Sequence, residues 1–281
     1  MARRFSVIFC LLFGFALPAL AQEAYPDGSR YPAMGQGDTT PGSPTLSQDL
    51  ELTVAGGARL QPKFQGSDDY EVIFAPGIDL EYKHAAFLVV DRQSMMTPYE
   101  GLGYKFISLP EFSAGVNLTY DGGRDAKSYI RGFGDIDQTI LGGVFAAWHP
   151  GMFYVRGQVA QDLLDEYNGY KGEFGLGIDG AINPSWRGML DLHTAFAGDN
   201  YTDAYFGVTG AQSTNSGLPV YNPKGGFYKT GLAGTLQYQL TQGAFLQGIV
   251  SYDELTGDAA DSPVSRDNSQ WGLQGMVGYR F

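Results

Sequence analysis

The chain has 281 residues, with 18 basic against 30 acidic side chains and a net charge of −12. That acidic balance argues against nucleic acid as a partner. The single cysteine, Cys10, excludes a disulfide framework and any Cys-rich metal site.

Residues 1–21 read as a secretory signal peptide. Arg3 and Arg4 precede an apolar run over 5–17, and Ala19-Leu20-Ala21 supplies a small-residue cleavage site. The apolar run is too short to span a bilayer comfortably. Cleavage removes both arginines and Cys10, leaving 16 basic and 30 acidic residues, a net charge of −14. Residues 22–47 are rich in Pro, Gly, Ser and Gln with no hydrophobic period, and are expected to form a flexible periplasmic leader.

From Leu50 onward apolar residues alternate with polar ones. Leu50, Leu52, Val54, Ala58 and Leu60 share one face, while Glu51, Thr53, Arg59, Gln61 and Lys63 share the other. A period of two is the signature of a strand with one greasy side. The alternation predicts twelve strands, at about 49–64, 71–83, 86–93, 99–108, 112–121, 136–148, 152–164, 170–182, 186–198, 227–240, 244–255 and 268–281. No later stretch offers the roughly 18 apolar residues of a membrane helix. Hydrocarbon supplies no partner for backbone N–H or C=O, so such strands can cross it only as a closed sheet. The fold class expected for 48–281 is therefore all-β, a transmembrane antiparallel up-and-down β-barrel of twelve strands. Twelve is even, as bacterial single-chain barrels require. Short turns near 84–85, 110, 149–151, 183–185 and 241–243 alternate with connections that include long ones at 122–135, 199–226 and 256–267, which fits short inner turns and longer outer loops.

Two segments fit poorly. Pro76 falls mid-strand, where it would remove a ladder hydrogen bond, and a bulge is expected there. In the sixth strand Ile136, Ile140 and Val144 share a face while Leu141 and Phe145 lie on the other, so its phase is open. Aromatics near strand ends, among them Phe64, Tyr82, Tyr104, Tyr120, Trp148, Trp186, Tyr238 and Tyr252, are placed to form interfacial girdles.

The polar face should line the lumen with mixed charge: Glu51, Arg59, Lys63, Glu71, Asp79, Glu81, Lys83, Lys105, Arg156, Lys171, Glu173, Asp179, Arg187, Asp191 and Arg280. Such charges either pair into a closed plug or line a narrow water-filled pore, and twelve strands permit both. At the C-terminus Val277, Tyr279 and Phe281 alternate on the greasy face, and this ending looks like the signal read by the outer-membrane assembly machinery.

Several segments are more specific than barrel periodicity. They are Gly66-Ser67-Asp68-Asp69-Tyr70, Gly132-Phe133-Gly134-Asp135-Ile136-Asp137, Tyr205-Phe206-Gly207-Val208, Ser216-Gly217-Leu218-Pro219-Val220-Tyr221 and Gly257-Asp258-Ala259-Ala260-Asp261-Ser262-Pro263. Together with Gly278-Tyr279-Arg280-Phe281, and in this order, they closely resemble the MltA-interacting protein / OmpV family of outer-membrane proteins, over about 48–281. The resemblance implies an outer-membrane location, contact with membrane lipid and lipopolysaccharide, and assembly by the barrel machinery. It further implies a scaffold for murein-remodelling enzymes, namely a lytic transglycosylase and a penicillin-binding protein; other members resemble porins or adhesins.

Asp135 with Asp137, and Asp258 with Asp261, offer hard oxygen ligands, but Asp and Gly also cap turns, and the turn reading is preferred. No metal or other cofactor is expected. Catalysis is not expected either. A lipid-cleaving triad must face outward beside a nucleophilic Ser, whereas His193 falls on the lumen face with Arg187 and Asp191, and His84 and His149 fall in inner turns. The leading expectation is a docking scaffold, the alternatives a small-solute channel or an adhesin acting through 199–226.

Overall fold

The computed structural model describes residues 49–125 and 130–281. The expected signal peptide and leader, 1–47, lie outside the described residues. Twelve antiparallel strands close into a barrel in which each pairs with its neighbours in sequence and the first pairs with the last. They are β1 (Leu50–Pro62), β2 (Tyr70–Tyr82), β3 (Ala86–Val90), β4 (Gly101–Leu109), β5 (Phe112–Asp121), β6 (Thr139–Trp148), β7 (Phe153–Asp162), β8 (Tyr170–Asn183), β9 (Trp186–Ala197), β10 (Gly226–Gln239), β11 (Ala244–Leu255) and β12 (Ser269–Arg280). Among the described residues four short helices lie in the connections: α1 (Arg92–Met95), α2 (Asp199–Phe206), α3 (Gly210–Ser216) and α4 (Gly257–Ala260).

Alternation sets the two faces of the wall. Val72 and Phe74 of β2, Leu102, Tyr104 and Phe106 of β4, and Leu273, Val277 and Tyr279 of β12 are exposed on the outside. Their chain neighbours point inward, and many are buried, including Lys105, Gln274 and Met276. An apolar exterior around a closed hydrogen-bonded ring is the arrangement that lipid demands. Tyr82, Tyr104, Tyr120, Trp148, Trp186 and Tyr238 are also exposed on this outer face. Phe64 is not. It follows the end of β1 and is buried in a loop cluster with Ile130, Phe133, Val208 and Val264.

Both ambiguous segments take definite form. The β1–β2 register runs without a shift through Gly56↔Pro76, so Pro76 creates no bulge. The β2–β3 ladder ends at Ile78↔Val90, which leaves no rung on that side for the missing N–H to break. Register shifts occur instead near Lys105/Ile107, Ala181/Asn183 and Phe227/Lys229. In β6, Ile140 and Val144 face out, whereas Leu141, Phe145 and Ala147 are buried inside. Ile136 lies before the strand and forms an isolated bridge with Arg124.

β3 ends three residues short of the expected 86–93. It stops at Val90, because Asp91 takes a left-handed conformation (φ 62°) and the chain turns into the barrel.

Candidate functional site

Residues 91–100, between β3 and β4, form a strap that crosses the lumen. Asp91 caps α1, its carboxylate accepting from the Ser94 amide at 3.3 Å and the Ser94 hydroxyl at 2.5 Å. Met96 ends the helix, again left-handed (φ 54°). A left-handed turn at a residue other than glycine is strained, so the contacts on either side must hold it.

Those contacts reach nearly opposite walls. On one side Asp91 pairs with Arg59 of β1. Arg59 Nε also donates to Gln274 of β12 at 2.6 Å, and Gln274 Nε2 donates to Ser94 Oγ at 2.7 Å. Gln247 of β11 donates to the Ser94 carbonyl at 2.8 Å. On the other side Arg92 pairs with Glu173 of β8 at 2.9 Å. Glu173 is shared with Arg156 of β7 (2.5 Å), which also binds Asp191 of β9 (2.9 Å). Near the wall from which the strap departs, Tyr99 donates to Glu81 at 3.1 Å, and Lys105 closes on Glu81 at 2.7 Å.

Apolar packing fills the space between these polar anchors. Tyr99 packs against Phe87 and Phe145, with ring centroids 4.4 and 5.1 Å apart, and Met95 and Val89 join them. Met96 packs with Tyr154 and Met189. Phe87, Val89 and Phe145 therefore point inward because something apolar occupies the lumen. That inward set was the sequence signal for the strap.

The outer mouth is covered as well. Tyr201, Tyr205 and Phe206 of α2 pack with Tyr167, Tyr228, Leu255 and Ala259 over the rim. Tyr205 and Tyr167 donate to Asp121 at 2.8 and 3.2 Å, and Lys171 pairs with it at 2.7 Å. Burial pushes both phenols far above their ordinary range, and the nearby Asp121 charge adds to the effect, so they remain donors. Arg124 donates to the Tyr205 and Ala204 carbonyls at the end of α2, and burial lowers its affinity for the proton. The first part of the 199–226 connection, α2, is thus a packed cap, whereas α3 beyond it has no buried residue.

The remaining expected site residues divide by position. Asp179 and Arg187 pair inside the barrel at 2.5 Å. Asp79 is half-buried with one carboxylate oxygen unpartnered, and Glu51 lies near Glu81. Lys63 and Glu71 lie toward the outer end; Lys63, beyond β1, pairs with Asp69 at the rim rather than in the lumen. Lys83 is exposed in the β2–β3 turn, also outside the lumen. The 66–70 motif joins the first and last outer loops. Gly66 (φ 89°) accepts the Arg266 and Asp267 amides on its carbonyl, Ser67 is buried, Asp68 meets Arg266 at 3.5 Å, and the Tyr70 hydroxyl accepts the Trp271 amide. Gly132 (φ 91°) lies against Asn215, and a side chain at Gly134 would meet open space. Asp137 donates its amide to Glu166, and Asp258 accepts the Lys224 amide. Asp261 ends α4, donating its amide to Gly257. Asp135 sits with Asp125 and Asp137 beside an open outer groove. Among the described residues no three carboxylate, His or Cys side chains converge as metal ligands. Val277 and Tyr279 project outward, and Phe281 donates its amide to Leu52 and packs on Tyr279. His193 has both ring nitrogens on carboxylates, Asp191 at 2.9 Å and Asp253 at 2.8 Å, so neither is left to serve a hydroxyl nucleophile.

A sequence profile of the family described as MltA-interacting protein MipA matches residues 54–281. The chain belongs to that family. It is 24% identical to the MltA-interacting protein of Escherichia coli K12 over 249 residues, covering 83% of this chain and 96% of that one. It is 27% identical over 149 residues to an E. coli K12 protein described as outer membrane protein YiaT, matching 52% of this chain and 58% of that one. An outer membrane channel from Pseudomonas putida F1 aligns with 86% of this chain and 98% of its own, at 9% identity and a TM-score of 0.42. This MipA-family chain is an outer-membrane β-barrel.

Proposed function

We propose that this MipA-family barrel is an occluded docking platform, holding murein-remodelling enzymes at the periplasmic face of the outer membrane. The observation that carries the reading is the strap. A lumen crossed by residues 91–100 and tied to β1, β8, β11 and β12 suits a scaffold better than a pore. The enzyme class comes from the MltA-interacting protein that the chain resembles over 96% of that protein's length. The reading includes no catalytic role, insertion by the barrel assembly machinery through Tyr279 and Phe281, and contact with lipid and lipopolysaccharide on the outer wall. The docking elements proposed are the inner turns at 83–85, 110–111, 149–152, 184–185 and 240–243, together with the 22–47 segment.

The test has two arms. The purified full chain should be electrically silent in planar bilayers, and a lytic transglycosylase should co-purify with it from detergent extracts. Discrete, ion-selective current steps at rest would replace the platform with a channel. Failure to retain the transglycosylase while the barrel stays silent would remove the murein partner.

A further inference from the structure

The strap enters the lumen at a cost to the wall. β3 has five residues; at about 3.3 Å each and a tilt near 40°, that is roughly 13 Å of height, about half of a ~25 Å apolar band. The ladders fix which half is missing. β2–β3 ends at Ile78↔Val90, β3–β4 at Val89↔Gly101 and β4–β5 at Leu102↔Leu118. Beyond these rungs β2 continues outward from Gly77 to Tyr70 with, among the described residues, a strand partner on the β1 side alone. β5 likewise continues through Thr119 to Asp121, paired with β6 alone. The gap therefore lies on the outer-loop side, between the free edges of β2 and β5.

The sides of this notch are the most exposed apolar surface among the described residues. Phe74 is 72% exposed, Val72 69% and Tyr120 65%, above every other large hydrophobic side chain. They stand out because no neighbouring strand shelters them. The strap supplies the floor as it returns. Thr97, Pro98 and Tyr99 are buried, and the Glu100 carbonyl accepts from Asn117 at 2.7 Å. Gly101 (φ 91°) re-enters the wall where a Cβ would lie 2.0 Å from the Leu118 carbonyl oxygen. The Glu100 carboxylate turns back toward the Asp91 amide and Arg92. A free sheet edge is not tolerated in dry hydrocarbon, yet the flanks are too apolar to be left to water.

We propose that the notch seats an outer-leaflet lipid. One acyl chain lies across Phe74, Val72 and Tyr120, and the headgroup is drawn inward to the level of Gly101, where it solvates the free backbone edge of β2. The outer leaflet is correspondingly thinner over β3 and β4 than around the rest of the ring. A lipid satisfies both demands at once, having an apolar tail for the flanks and a hydrated polar end for the edge.

The test uses bromine quenching, which acts at contact range. In a Cys10→Ser background, a fluorophore is attached at Pro76→Cys on the β2 edge or, independently, at Tyr120→Cys on the β5 edge, both exposed positions. The full chain is reconstituted into phosphatidylcholine vesicles with or without bromine at mid-chain. Lipid-facing Tyr104→Cys and lumen-facing Met189→Cys serve as controls. Either notch position should be quenched by brominated chains to within twofold of the Tyr104→Cys control. Quenching no greater than at Met189→Cys, or stronger quenching by aqueous iodide than by bromolipid, overturns the proposal. A fluorophore at a second notch position guards against one variant misfolding.

Discussion

Arg156 is held between two carboxylates inside the barrel, and its removal gives the sharpest test of the lumen network. Its side chain is 3% exposed and faces two carboxylates, Glu173 at 2.5 Å and Asp191 at 2.9 Å. Two unit charges about 3 Å apart interact by roughly 5–6 kcal/mol at an effective dielectric near 20. Burial of the guanidinium offsets part of that, so truncating one partner is expected to cost about 3–5 kcal/mol. In Arg156→Met the stem survives and the charge does not. Glu173 then falls back on Arg92, while buried Asp191 keeps only Tyr154 and His193. Urea unfolding in lipid vesicles, followed through Trp148, Trp186 and Trp271, reads the loss. The Arg156→Met/Asp191→Leu variant removes both charges and should be more stable than Arg156→Met by at least about 1 kcal/mol. A single variant within about 1 kcal/mol of the parent, or a double variant showing the simple sum of the two losses, would refute a paired, desolvated network.

Two further predictions concern the inner turns. His149 is buried beneath Tyr154 with Nε2 unpartnered, and desolvation, opposed only weakly by Asp179, lowers its pKa from 6.5 to about 4. The unfolded chain therefore binds the proton first: stability is full above pH 6.5, falls by about 3 kcal/mol as pH drops to 4, and falls no further from this group below that. Comparing urea midpoints of the parent and His149→Gln across pH 7.5 to 4 isolates the contribution, and parallel profiles would sink it. In the β2–β3 turn, Lys83 (φ 51°) and His84 (φ 54°) are both left-handed, and the Tyr82 carbonyl accepts the Ala85 amide at 3.1 Å. This is a hairpin geometry that favours Asn-Gly, so His84→Gly should raise stability by about 0.5–1 kcal/mol. A lower urea midpoint would argue against relief of backbone strain.

The wall was legible in the sequence because period-two alternation is imposed residue by residue on every strand that separates lipid from lumen. All twelve strands lie within three residues of expectation at each end. β3 reads as a longer strand because the β-branched Val89 and Val90 carry no stop signal, while the reversal at Asp91 needs a left-handed turn that Asp rarely announces. Pro76 suggested a bulge only while a full-height β3 was assumed beside it. The phase of β6 was hidden for the same reason. Leu141 and Phe145 face inward, and a lumen imagined as uniformly polar gives them nothing to touch, whereas Phe145 in fact meets Tyr99 of the strap. Charge positions were readable from parity, but partners were not, since pairs such as Arg59 with Asp91 depend on a chain excursion that leaves no periodic trace.

The strap is anchored at the seam where the ring closes, and this orders events during assembly. Arg59 and Gln274 stand opposite each other in the β1–β12 ladder, 215 positions apart in the chain, and Asp91 and Ser94 need both. Every other ladder joins successive strands and can zip locally. The strap's grip on that side is thus complete only after the two ends of the polypeptide have met. A molecule arrested with its ends apart would hold residues 91–100 less firmly, so protease sensitivity at the strap would report incomplete circularisation before any change in strand content.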